Sequence, residues 1–209
     1  MLAATGAHAA GGAYAVDDAA IGAPGECQVE SWASFAGNGD LIATTQPACV
    51  LKFGGMPVEI TTVFAGTRAD DAWAATTGLQ AKAILIPMGL RNVGVAVSGG
   101  TLFDVTRGES AAYLNFPVSI KLHDQLSVNV NGGTLWAEDI HFTWGAGFEW
   151  GFAQAWTLLA EVFGQSGDAR VQAGLRFTPL KSFDVDVIYG HNIGGENAHW
   201  ITAGLTARF

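Results

Sequence analysis

The stretch His199-Trp-Ile-Thr-Ala-Gly-Leu-Thr-Ala-Arg-Phe209 alternates apolar side chains with small or polar ones and stops on a phenylalanine. In a two-residue period Ile201, Ala203, Leu205, Ala207 and Phe209 share one face, and Thr202, Gly204, Thr206 and Arg208 share the other. The stretch His141 to Phe152 repeats the pattern more strongly. Phe142, Trp144, Ala146, Phe148 and Trp150 fall on one face, and His141, Thr143, Gly145, Gly147, Glu149 and Gly151 on the other. A soluble sheet also alternates, but its aromatic face is covered by a second layer whose charged backs appear elsewhere in the chain. Here the large residues belong on an outer, lipid-facing side and the small and polar ones inside.

The alternation predicts about twelve strands, each near the length expected of a tilted membrane strand. They are Cys27 to Ala36, Leu41 to Phe53, Val58 to Gly66, Trp73 to Ile84, Asn92 to Leu102 and Ala111 to Leu122. The second half adds Leu126 to Leu135, His141 to Phe152, Trp156 to Gln165, Arg170 to Thr178, Phe183 to His191 and His199 to Phe209. Turn formers separate them: Gly37-Asn-Gly-Asp40, Gly54-Gly-Met-Pro57, Arg68-Ala-Asp-Asp71, His123-Asp-Gln125, Ser166-Gly-Asp168 and Ile193-Gly-Gly-Glu-Asn197. No stretch offers the roughly twenty apolar residues of a membrane helix, so a spanning chain must close its strands into a barrel. The expected fold is a single antiparallel transmembrane β-barrel. An even strand count returns both termini to one side, which for bacterial barrels is the periplasm. The connections then expected on that side, near 122–125, 152–155 and 178–182, are tight, and those near 100–111, 133–140 and 191–198 are longer.

Composition sharpens the case. Only 14% of residues are charged against 49% hydrophobic, with 28 glycines, which leaves too little material for a water-facing shell. No linker or low-complexity tract divides residues 26–209. Residues 1–25 are expected to be a residual signal peptide or a flexible periplasmic tail. Ala7-His8-Ala9 has the form of a signal-peptidase site, although few residues precede it. The expected location is the outer membrane of a Gram-negative bacterium.

Cys27 and Cys49 are the only cysteines and lie symmetrically about Asn38 in the first turn. Antiparallel pairing about that centre sets them opposite each other, and the export route is oxidising, so a cross-strand disulfide is expected. No histidines or further thiols stand near them at metal-ligand spacing.

The charges of the second half keep phase with the small residues. Glu149, Glu161, Arg170, Arg176, Asp184, Asp186 and Arg208 are all expected on the inner face, and pairing across the 179–182 turn brings Arg176 near Asp184. Two readings stay open: a pore lining that filters solutes, and a self-neutralising ladder that plugs a narrow barrel. Of the glycines expected inside, 94, 145, 147, 151 and 174 leave space, whereas Trp32 and Tyr113 consume it.

His141, His191 and His199 fall near the expected outer rim, with Ser110 and Ser166 in nearby connections. Outer-membrane lipid hydrolases place a serine and a histidine there, but no signature joins these residues, and the chain is not expected to be an enzyme. There is no glycine-rich phosphate cradle and no cofactor motif. A net charge of -9 opposes nucleic-acid binding.

Thr157-Leu-Leu-Ala-Glu-Val-Phe-Gly164, Val171-Gln-Ala-Gly-Leu-Arg-Phe177, Phe183-Asp-Val-Asp-Val-Ile-Tyr-Gly190 and Trp200 to Phe209 resemble bacterial outer-membrane barrels of the transporter type, including those named for the meta-pathway of phenol degradation. The resemblance covers about a third of the chain. It implies outer-membrane location, contact with outer-membrane lipids and passage of small solutes, hydrophobic ones among them. The expected function is a passive channel or small-solute transporter. The alternative is a plugged barrel that serves as a structural or partner-binding subunit of an envelope assembly.

Overall fold

The computed structural model describes residues 13–89, 91–193 and 198–209. Twelve strands follow one another: β1 (Cys27–Ala36), β2 (Leu41–Phe53), β3 (Met56–Ala69), β4 (Ala72–Ile86), β5 (Val93–Asp104), β6 (Ser110–His123), β7 (Leu126–Trp136), β8 (Ile140–Ala153), β9 (Trp156–Gln165), β10 (Asp168–Leu180), β11 (Phe183–Ile193) and β12 (His199–Arg208). Each pairs antiparallel with its sequence neighbours, and β1 pairs with β12 from Gln28↔Arg208 to Ala36↔Trp200, closing the barrel. Closure leaves no unpaired edge, the condition for a sheet surrounded by lipid.

The outward positions form a continuous apolar belt. Phe35, Phe64, Leu79, Phe116, Phe142, Leu175 and Ile201, from strands all around the wall, are exposed. Inward positions around the wall include buried Asn129, Glu149, Gln172, Asp184 and Thr202. This inversion of the soluble pattern is what the alternation predicted.

β1, β2 and β9 have the expected bounds, while most other strands extend further. Ladder pairing continues past the apolar belt until a left-handed residue ends it: Asp70 (φ 48°) and Asp71 (φ 61°) after β3, Ser166 (φ 38°) and Gly167 (φ 105°) after β9. Hydrophobic alternation marks the belt, and backbone hydrogen bonding marks the strand. The expected asymmetry of connection lengths is only partly present. Residues 87–92 connect strands at the same end as the termini, and that connection is longer than 105–109 at the far end.

The preceding segment is where the structure departs most from expectation. Residues 13–25 are no flexible tail. They enter the barrel from the terminal end as a strap, with Tyr14, Val16, Asp18 and Ala19 buried. The strap has no secondary structure of its own, so its backbone donors need partners from the wall. Glu161 accepts the N–H groups of Ala15 (2.7 Å) and Val16 (3.0 Å), Asn131 accepts that of Asp17 (2.7 Å), and Ser119 that of Ala19 (2.8 Å). The Ala7-His8-Ala9 motif lies outside the described residues.

The lumen as candidate functional site

Glycines on the inner wall make the bed of the strap. A Cβ on Gly145 would stand 2.8 Å from Val16, on Gly174 2.8 Å from the Tyr14 hydroxyl, on Gly94 3.3 Å from Ala19, and on Gly204 3.6 Å from Ala13. The space expected from Gly94, Gly145 and Gly174 therefore exists, but the chain's own strap fills it. Tyr14 also finds apolar ground in an otherwise polar interior, since it packs on Leu159 and Ile188. Fully burying a side chain of this size is worth about 1.5–3 kcal/mol. The Arg176 guanidinium lies 5.5 Å from the centre of the Tyr14 ring, within the range of cation–π attraction.

The charges singled out in the second half point inward but are engaged with one another and with the strap. Glu161 holds two strap amides and also accepts a hydrogen bond from Gln172 (2.6 Å). Gln172 donates to the Ala13 carbonyl and accepts from the Trp200 indole (3.1 Å). Glu149 accepts from Asn129 (2.7 Å). Arg176 pairs with Asp186 at 2.8 Å, not with Asp184 as expected. The turn is tight, with Leu180 opposite Phe183, and beyond an irregularity between Phe177 and Leu180 the ladder runs Arg176↔Asp186. Asp184 instead accepts from Thr178 (2.7 Å) and pairs with Arg208 (2.5 Å). Arg170 shares the inward phase but is exposed close to the far rim.

The open volume lies against the other wall. A cavity of about 610 Å³ reaches from the terminal end, at Glu26 and Phe209, to mid-height at Ser98 and Tyr113. Its charged lining includes Glu30, Glu59 and Lys82, none of which was singled out in the sequence. The signal was present: Glu30 keeps the phase of Trp32, and Lys82 alternates with outward Leu79 and Ala81. Lys82 sits opposite Glu59 in the ladder, yet its ammonium goes to the strap, to Asp17 at 2.7 Å and Asp18 at 3.2 Å.

Cys27 and Cys49 face each other in register and are bonded, with 4.1 Å between their Cα atoms. They tie β1 to β2 where the strap enters. At the far rim His141 Nδ1 and Ser166 Oγ are 3.3 Å apart. Among the described residues no carboxylate is hydrogen-bonded to that histidine, and the positive φ of Ser166 is the ordinary geometry of its hairpin turn.

The barrel is similar to solved outer-membrane channels. A KdgM porin in complex with disordered oligogalacturonate superposes with a TM-score of 0.70 at 11% identity, covering 87% of this chain and 99% of that one. The COG4313 outer membrane channel from Pseudomonas putida F1 gives 0.73 at 8% identity, over 91% and 97%. The NanC porin gives 0.65 at 8% identity, over 86% and 98%. At such identities the likeness establishes the fold, and the transporter-like segments of the last third agree with it at that level. No functionally curated protein matches the sequence. One family model matches across residues 1–209, and the chain therefore belongs to the family described as uncharacterised conserved protein UCP029691.

Proposed function

We propose that this chain is a passive outer-membrane channel for small polar solutes, narrowed from within by residues 13–25. The observation that carries the reading is the cavity of about 610 Å³ left between the strap and the wall of β1 to β6. It lies within the range of small-molecule sites, and the polar side chains of Gln28, Gln46, Thr61, Gln80 and Asn115 share its wall with apolar Ala48 and Val50. The apolar belt supports insertion in lipid, and the folds of KdgM, NanC and the COG4313 channel support an outer-membrane role. A barrel of this strand number stands between those packed solid and those that are open pores, so the contents of the lumen decide whether it conducts.

The second reading, a plugged structural or partner-binding barrel, draws on the hydrogen bonds that hold the strap to Glu161, Asn131 and Ser119. Conductance of the purified chain in planar bilayers separates the two. Discrete openings that widen when residues 1–25 are removed support a strap-narrowed channel. Zero conductance with and without those residues would leave the structural reading.

A further inference from the structure

The charge balance of the cavity is set by an unequal division of cations. Of the three cations on its lining, Lys82 is engaged by Asp17 and Asp18, Arg208 by Asp184, and Lys181 is exposed at the terminal rim. Glu59 has Lys82 beside it in the ladder and accepts the strap amide of Gly22, whereas Glu30 stands on the cavity wall, and neither makes a salt bridge among the described residues. Glu30 is 8% exposed, and no hydrogen bond to its carboxylate is found among the described residues. Removing a carboxylate from bulk water without a counter-charge is costly, so this arrangement favours a cation from outside the chain.

A second feature is independent of the acids. Ser98, only 7% exposed, lines the same cavity and makes no side-chain hydrogen bond among the described residues. It follows Lys82 in the ladder, on the same inward row. Tyr113 adds an aromatic side chain to the wall, the kind of surface that attracts ammonium groups. The Glu30 carboxylate, which has no ion pair among the described residues, the neighbouring Glu59, the Ser98 hydroxyl and the Tyr113 ring suit a solute that carries N–H donors and positive charge along a short apolar stem. Such a lining repels a polyanion of the oligogalacturonate kind.

Resting on the channel reading above, we propose that the solutes taken by this lumen are small organic ammonium ions, of the diamine and polyamine class, held at Glu30 and Glu59. The test uses putrescine as the probe, with the detergent-solubilised full chain for calorimetry and planar bilayers for reversal potentials in a putrescine gradient. Glu30→Gln/Glu59→Gln should weaken putrescine binding by about tenfold or more, the scale of losing a charge-assisted hydrogen bond. It should also reduce putrescine permeability, while Asp168→Asn in an exposed turn changes neither. Glu30→Asp should restore part of the binding, and heat-modified gel migration checks that each variant is folded.

Binding without permeation keeps the ammonium site and overturns the channel. Permeation that shows no preference for putrescine over galacturonate and is unaltered in the double variant keeps the channel and overturns the site. Absence of putrescine binding, or its full displacement by equimolar magnesium, also overturns the assignment to organic cations.

Discussion

Val16 rests on Gly145: a Cβ at that glycine would lie 2.8 Å from Val16 Cγ2. Contacts this short do not occur in packed structures, so Gly145→Val must displace the strap or distort β8. The expected result is faster proteolysis ahead of Cys27 together with a larger single-channel conductance. Gly132→Val is the control, because a Cβ at Gly132 meets nothing within 4 Å. Equal behaviour of the two variants would mean that the strap does not depend on this contact.

Tyr14 separates apolar from polar anchoring. Its ring packs on Leu159 and Ile188, while its buried hydroxyl has no hydrogen-bond partner among the described residues. A buried unsatisfied hydroxyl costs about 1–3 kcal/mol. Tyr14→Phe should therefore leave the melting temperature unchanged or raise it, and Tyr14→Ala should free the strap. A Tyr14→Phe variant that melts well below wild type would show that the hydroxyl has a partner.

Glu161 anchors the strap by charge. Replacement by Ala removes the acceptor for the amides of Ala15 and Val16, and hydrogen bonds to a charged group contribute about 1.5–3 kcal/mol each. Hydrogen exchange should show both amides losing protection in Glu161→Ala. Glu161→Gln, which keeps one acceptor oxygen, should fall between. Persistent protection in the Ala variant would show that other contacts suffice.

Removing one partner of a buried ion pair takes the nearest counter-charge from the other. Asp186→Asn should lower stability by on the order of 3 kcal/mol, because the side chains of Arg176 and Asp186 are only 5% and 3% exposed. Asp184→Asn should cost less, since the Arg208 side chain is 20% exposed and water reaches it. Unfolding in urea measures both, and the reverse order would contradict the pairing described for β10 and β11.

The Cys27–Cys49 bond closes a segment spanning 22 positions, for which chain entropy suggests roughly 3 kcal/mol. The actual gain should be smaller, because β1 and β2 are already held by their ladders. Reduction should lower the melting temperature by a few degrees and leave conductance unchanged. A change in conductance would mean that the bond also positions the strap.

The wall was legible because its rule is local. Phe142, Trp144 and Phe148 reveal their side from their neighbours alone, as does the symmetric placing of Cys27 and Cys49 about Asn38. The interior was legible only in phase: Glu161, Arg176 and Asp186 lie on the inner face, but their partners depend on a turn and register near Thr178 that alternation does not encode. Residues 13–25 were misread because Ala, Gly, Val and Asp in no fixed period look like any exported tail. What makes room for them is a set of glycines, and what holds them is Glu161, Asn131 and Ser119, all on strands far away in sequence. Each such glycine could equally have meant a bulge, a close strand contact or empty space. Glu30, Glu59 and Lys82 keep the inward phase, but they lie on separate strands, and alternation within a strand does not show that they meet at one cavity.

The glycine bed beneath the strap bears on what determines the bore. In a barrel whose lumen is lined by the sheet alone, strand number and tilt set the width. Here one wall of the passage is sheet and the opposite wall is an extended segment held by a few side chains, so that second wall is exchangeable. Two barrels with the same strands could differ in calibre solely through the residues ahead of the first strand. Selection could thus retune the aperture of this molecule without touching a single membrane-facing residue.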